Sequence, residues 1–201
     1  GRPLAALQSI DVDGRVLYAG SFSKLLFPGL RLGYLVAPKR LVDPLLRHRW
    51  VLDQRPHALD QLVLADFFRE GHFHRHLSRM RGLYAERQAL LVDLAERVLG
   101  PCLDVPASDS GMELVGRLAP GLDEHWLSAR AAAEGVEVGR VLRFALRQRP
   151  PAGLVLGYAA CTPREIARGI TVLGGLLGSA SAPRGPRPPG AAQGLLGPLA
   201  E

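Results

Sequence analysis

Four residues within one eleven-residue stretch carry groups that can act together: Ser21, Ser23, Lys24 and Arg31. A primary amine such as that of Lys24 condenses with an aldehyde to form an imine. If the aldehyde also bears a phosphate, the site needs hydroxyl donors, backbone N–H groups and a cation, and arginine offers a planar fork of donors for phosphate oxygens. Two serines ahead of the lysine and an arginine behind it meet these needs, and pyridoxal phosphate is the common cofactor that fits them. The lysine is also rare. Of 25 basic residues only Lys24 and Lys39 are lysines. Arginine serves equally well as surface charge but cannot form an imine, because its guanidinium does not deprotonate in proteins. Lys39 lies in the turn Pro38-Lys39-Arg40 and reads as surface.

Other chemistries are less well supported by the residues. Ser21-Phe22-Ser23-Lys24 also matches the S-x-x-K nucleophile motif of penicillin-binding enzymes, and Ser108-Asp109-Ser110 hints at its S-D-N partner. There is no K-T-G, however, and Pro28 and Gly29 break the helix that would carry the motif. His72 and His76 share a helical face at i, i+4, with His74 between them, but no acidic residue stands at ligand spacing, so they read as solvated helix histidines. The remaining Asp and Glu positions read as surface residues. Cys102 and Cys161 are far apart and belong to no C-x-x-C pattern, which suits buried thiols in a reducing compartment. No metal site is expected. The formal charge of +6 comes from arginines spread along the chain. With no dense basic cluster and no helix-turn-helix pattern, direct DNA binding by this segment is not expected. No apolar run reaches the length of a membrane span and the first residues form no secretory core, so the expected location is cytoplasmic.

These groups need a scaffold, and the 201 residues, 47% of them apolar, suffice for one or two packed units. Residues 15–20 and 32–37 are short apolar runs bounded by Gly or Pro and read as buried strands. The serines, the lysine and the arginine lie on the connection between them, where functional side chains concentrate. From Leu41 to about Leu99 the pattern is helical, with a break at Gln54-Arg55-Pro56. Phe73, Leu77, Met80, Tyr84, Leu91, Leu94 and Val98 mark one face of a long amphipathic helix. Arg75, Arg79, Glu86, Arg87, Asp93 and Glu96 mark the other, and Gly100-Pro101 ends it. Beyond it, Leu114-Val115 falls in a short strand, Glu124 to Ala133 is a helix stopped at Gly135, and 136–146 and 154–160 read as strands. Thr162, Pro163 and Glu165 form a capping signature for a last helix reaching about Leu177. From Gly178 the composition turns to Gly, Pro, Ala and Ser, which reads as a disordered tail over 178–201.

Tyr18-Ala19-Gly20-Ser21-Phe22-Ser23-Lys24, followed by Pro28-Gly29-Leu30-Arg31-Leu32-Gly33-Tyr34, resembles the cofactor-lysine segment of class I aminotransferases. Phe between the serines, together with Leu-Arg-Leu-Gly-Tyr, is most similar to MocR-type regulators, GntR-family proteins with an aminotransferase-like effector domain. Glu70-Gly71-His72-Phe73, Arg79-Met80-Arg81, Tyr84-Ala85-Glu86-Arg87 and Gly157-Tyr158-Ala159 extend the resemblance over about residues 1–177. It implies an α/β fold, part of a fold-type I pyridoxal-phosphate-dependent transferase. Residues 1–100 would be the end of the large cofactor domain with its connecting helix, and 101–177 the small C-terminal domain. It implies Lys24 as the Schiff-base lysine and Ser21, Ser23 and Arg31 as phosphate contacts.

The family pattern has more chain ahead of this point. That region carries the aspartate facing the pyridine nitrogen, the aromatic stacked on the ring and a glycine-rich phosphate turn, with a winged helix-turn-helix further upstream in the regulators. Aminotransferases also carry an arginine in the late strand that clamps the substrate carboxylate, and here the matching place is Val155. The resemblance therefore implies the effector-sensing half of a transcription regulator, taking a small amine or amino-acid ligand. Dimerisation is expected in the full-length form, with DNA contacted only through the N-terminal region. The alternatives are part of a genuine amino-acid aminotransferase and an inactive remnant.

Overall fold

The computed structural model describes residues 5–52, 58–147 and 150–180. It divides into two compact units, Gly1–Leu83 and Tyr84–Glu201. The division falls inside the long helix. Gln54-Arg55-Pro56 and residues 181–201 of the expected tail lie outside the described residues.

In the first unit, β1 (Tyr18–Ser21) and β2 (Gly33–Val36) form an antiparallel hairpin with Tyr18 opposite Val36 and Ser21 opposite Gly33. Both strands are shorter than the sequence suggests, and neither is buried. Tyr34 is 40%, Leu35 48% and Val36 41% exposed. The expectation of buried strands fails because apolarity on both faces needs covering layers on both faces, and the described residues do not supply them. Two glycines let the hairpin close. A Cβ on Gly20 would stand 2.2 Å from the Tyr34 ring, and one on Gly33 would stand 2.9 Å from the Gly20 carbonyl oxygen. Three helices follow: α1 (Lys39–Leu52), α2 (Ala58–Arg69) and α3 (His72–Leu99). Gly71, with φ +72°, ends α2 in the left-handed conformation that glycine adopts without strain.

The second unit takes up α3 from Tyr84 onward. It continues with β3 (Leu103–Asp104), β4 (Glu113–Leu118), α4 (Glu124–Ala133), β5 (Gly139–Arg140), β6 (Gly153–Gly157) and α5 (Pro163–Ala180). The strands form an antiparallel sheet in the order β3-β4-β6-β5. In β4, exposed and buried positions alternate, with Leu114, Gly116 and Leu118 turned inward, as expected of a sheet covered on one side. The covering layer is helical: Leu91, Ala95 and Leu99 of α3, Leu127 and Ala131 of α4, and Ile166, Ile170, Leu173 and Leu177 of α5. A Cβ on Gly174 would meet the Val98 side chain at 2.7 Å, so glycine there permits the close approach of α5 to α3.

Several boundaries depart from the sequence reading. The α3 stripe that reaches the core is Leu91, Ala95 and Leu99, whereas Val98 is 46% exposed. Of the run 136–146 only Gly139 and Arg140 pair, because Val141–Phe144 turns into a 3-10 helix. That turn brings the Leu142 N–H onto the carboxylate of Glu124, at 3.0 Å, while the Gly153 N–H donates to the other carboxylate oxygen at 2.8 Å. Glu124 is thus buried and satisfied, not a surface acid. Helix α5 runs to Ala180, past the expected end, and so takes in the first residues assigned to the tail.

Candidate functional site

The connection from β1 to β2 is built locally. Ser21 closes the strand, and its Oγ accepts the N–H of Ser23 at 3.2 Å. The Phe22 carbonyl accepts N–H groups from Leu25 at 3.1 Å and Leu26 at 2.8 Å, winding residues 22–26 into one tight turn. Lys24 stands on that turn, exposed, and among the described residues its amine has no hydrogen-bond or ion-pair partner. Pro28–Leu30 forms a short 3-10 helix, and Arg31 follows it with φ 51° and ψ 24°. Among the described residues Arg31 is the single non-glycine residue in the left-handed region. That conformation costs about a kcal/mol or more for a side chain with a Cβ and tends to occur at ligand clamps. Its effect is to reverse the chain, so that Leu32 returns beside Phe22 and its carbonyl accepts the Phe22 N–H at 3.0 Å. Because Ser21 and Ser23 flank Phe22 and Arg31 precedes Leu32, this bond sets the backbone of Arg31 close to that of the two serines.

The turn is also fixed from outside. The Phe22 ring contacts Tyr34 with centroids 5.2 Å apart, Phe68 of α2 at 5.7 Å and Phe73 of α3 at 6.1 Å. Tyr18 and Tyr34 stand side by side across the hairpin at 6.0 Å. The hydrogen bond between their hydroxyls, followed by partial desolvation, raises the Tyr34 hydroxyl above its ordinary value. The Nε2 of His76 lies 2.9 Å from the carbonyl oxygen of Leu25, the residue after Lys24. His76 is therefore not a solvated helix histidine. His72 has its ring nitrogens at Glu70 (3.0 Å) and Arg75 (2.8 Å), and no metal-binding cluster occurs among the described residues. The aromatic grip and the His76 contact were not legible in the sequence, because the bond spans 51 positions.

The donor set suits an aldehyde cofactor with a phosphate: an amine on an exposed turn, without a partner among the described residues, two hydroxyls within three residues of it, and an arginine at the point where the chain reverses. In the second unit, Val155 lies in β6 opposite Val115 and Gly139 and offers no cation. A hydrogen-bond chain runs nearby. Gln88 donates to the Tyr158 hydroxyl at 3.0 Å, that hydroxyl donates to the Gly111 carbonyl at 2.9 Å, and Arg87 donates to the Ala159 carbonyl. No helix among the described residues is long and apolar enough to cross a membrane.

Comparison with known proteins bears on this geometry. Residues 3–173 match the family model "Aminotransferase class I and II". The probable rhizopine catabolism regulatory protein MocR of Rhizobium meliloti is 42% identical over 86% of this chain, which corresponds to 35% of that protein. The HTH-type transcriptional regulator TauR of Rhodobacter capsulatus is 34% identical over 82% of this chain and 34% of its own length. The chain thus spans about a third of the curated relatives it matches. Among solved structures, the α-aminoadipate aminotransferase LysN of Thermus thermophilus, complexed with N-(5'-phosphopyridoxyl)-L-leucine, superposes with a TM-score of 0.78 at 27% identity, covering 89% of this chain and 46% of that one. The kynurenine aminotransferase of Pyrococcus horikoshii, solved with PMP, gives a TM-score of 0.81 at 22% identity over 91% and 45% of the two chains, a likeness of fold.

Proposed function

Because this chain belongs to the class I and II aminotransferase family, we propose that it is the cofactor-binding, effector-sensing portion of a MocR/GntR-type transcription regulator. The observation that carries the reading is the likeness to the regulatory proteins MocR and TauR over 86% and 82% of this chain, together with Lys24, unpaired among the described residues, on a turn flanked by two serines and Arg31. In this reading Lys24 holds pyridoxal 5'-phosphate, while Ser21, Ser23 and Arg31 bind its phosphate. Bound there, the cofactor supplies an electrophilic carbon that exchanges one amine for another. The chain's own residues would present the amine and bind the phosphate. Residues 1–100 act as the end of the large domain and 101–177 as the small domain. The ligand is a small amine or amino acid, and DNA is contacted through a different domain of the whole protein. The apolar side chains left exposed on the first unit favour assembly with further polypeptide, including a second copy.

An aminotransferase is the second reading, favoured by the fold likeness to the LysN enzyme. One experiment separates the two. In the natural full-length protein, borohydride reduction followed by peptide mass analysis is expected to find the cofactor on Lys24, and Lys24→Ala is expected to remove the visible absorbance band. Alanine and glutamate are expected to show no turnover at enzymic rates, because Val155 supplies no carboxylate clamp, a contact worth on the order of 1.5–3 kcal/mol. Ordinary turnover would favour the enzyme, and cofactor trapped on another lysine would refute the assignment.

A further inference from the structure

We infer that His76 is a positioning residue for Lys24, holding the turn that presents the amine; this rests on the reading of Lys24 as the imine-forming residue. The bonds within the turn, from Leu25 and Leu26 to the Phe22 carbonyl, fix its shape but travel with it. Its placement depends on contacts from outside. On one side of Lys24 the Phe22 ring lies against Phe68 and Phe73. Ring contacts tolerate rotation and sliding, and the bond from the Phe22 N–H to the Leu32 carbonyl holds only the entry to the turn, so these contacts leave its exit free to pivot. On the other side the Leu25 carbonyl meets the Nε2 of His76 at 2.9 Å. A carbonyl oxygen can only accept, so Nε2 carries the hydrogen, and a hydrogen bond fixes both distance and direction. Lys24 lies between these two anchors. A lysine side chain is long and freely rotating, so its amine samples a wide volume unless its base is fixed, and a reacting group gains rate from being held in one approach. Both anchors reach the turn from the start of α3, since Phe73 and His76 are three residues apart on the same helical face.

The test uses the natural full-length protein in two states. Without cofactor, a lysine-specific endoproteinase is applied and cleavage after Lys24 and after Lys39 is followed separately by mass spectrometry. His76→Ala is expected to speed cleavage after Lys24 roughly fivefold and to leave cleavage after Lys39 unchanged, while His76→Gln, whose amide N–H can reach the same carbonyl, stays within about twofold of the parent. With pyridoxal phosphate bound, His76→Ala is expected to release it roughly fivefold more readily and to shift the visible band, with His76→Gln restoring both. Unchanged cleavage and retention in His76→Ala would overturn the inference. So would equal acceleration at both lysines, which marks general loosening, or failure of His76→Gln to restore the parent behaviour. Lys24→Ala is measured alongside. If it keeps the visible band, the reading of Lys24 has failed. If it loses the band while the His76 variants match the parent, only the positioning inference has failed.

Discussion

Among the described residues every fully buried apolar side chain, from Leu91 to Leu177, belongs to the second unit, and the first unit has none. Yet the first unit carries Lys24 and its neighbours, and its helices and hairpin are no less apolar in sequence. Trp50 is 71% exposed, Leu62 64% and Leu35 48%. The second unit has a sheet with one face covered by three helices, which is enough to exclude water. The first has a two-stranded hairpin, and a hairpin by itself buries too little to be stable. Its Lys24 turn is therefore held by discrete contacts: an aromatic cluster, a left-handed arginine and a histidine–carbonyl bond. Such a turn owes its geometry to a few side chains and is correspondingly sensitive to each of them.

The contrast can be broken most directly by truncating one leucine in each unit. Leu154, with no exposed surface, is expected to cost about 2–5 kcal/mol when changed to alanine. Leu35→Ala is expected to stay within about 0.5 kcal/mol. The chain's two tryptophans, Trp50 and Trp126, fall one in each unit, so denaturant titrations of single-tryptophan variants read the units separately. Equal losses for the two leucines would end the distinction. Next in size is Glu124→Ala, which strands the N–H groups of Leu142 and Gly153. Each buried donor left without a partner costs about 1–3 kcal/mol, and Glu124→Gln, which keeps one acceptor oxygen, should lose less.

In the first unit, Gly20→Ala is expected to cost about 1–3 kcal/mol, since the new methyl displaces the Tyr34 ring. Its signature is spectroscopic: separated from Tyr18, the Tyr34 hydroxyl returns toward its ordinary value of 10.0, and the late part of the alkaline tyrosine titration disappears. Thr162→Ala removes the capping hydroxyl, which donates to Glu165 at 2.8 Å and accepts the Glu165 N–H at 3.3 Å, and is expected to cost about 1 kcal/mol. The smallest effect is that of pH. Hydrogen bonds from the Thr162 backbone and hydroxyl, with Arg87 nearby, hold Glu165 below its ordinary 4.5. A carboxylate lowered in the folded state stabilises it above the unfolded value, and that contribution is lost as pH falls through the folded value. The acid limb of the second unit's stability profile should flatten slightly in Glu165→Gln. A steeper limb in Glu165→Gln would contradict the assignment.

Where signals are local, the sequence specified the structure closely. Helix α4 spans Glu124–Ala133 as its pattern requires, because the Asp123 cap and the Gly135 stop act within a turn of the helix. Thr162, Pro163 and Glu165 start α5 for the same reason. The candidate site was legible as a set of residue types, since Ser21, Ser23, Lys24 and Arg31 are close along the chain. Its supports were not. Nothing within a few residues of His76 indicates a bond to Leu25, and nothing near Glu124 indicates that a carboxylate one position into a helix turns inward to two backbone groups.

The same division explains the boundaries that moved. Residues 136–146 are apolar enough for a strand, but a strand lasts only while a neighbour offers hydrogen bonds, and β6 offers them to Gly139 and Arg140 alone. The apolar runs around Lys24 show that composition states how much surface prefers burial without stating what will cover it. The sequence by itself determined the caps, the helix periods, and the candidate amine with its polar neighbours, because these depend on residues a few positions apart. The tertiary structure decided which apolar faces meet, which acid is buried and which histidine reaches the turn, because those depend on distances that the chain sets only after it has folded.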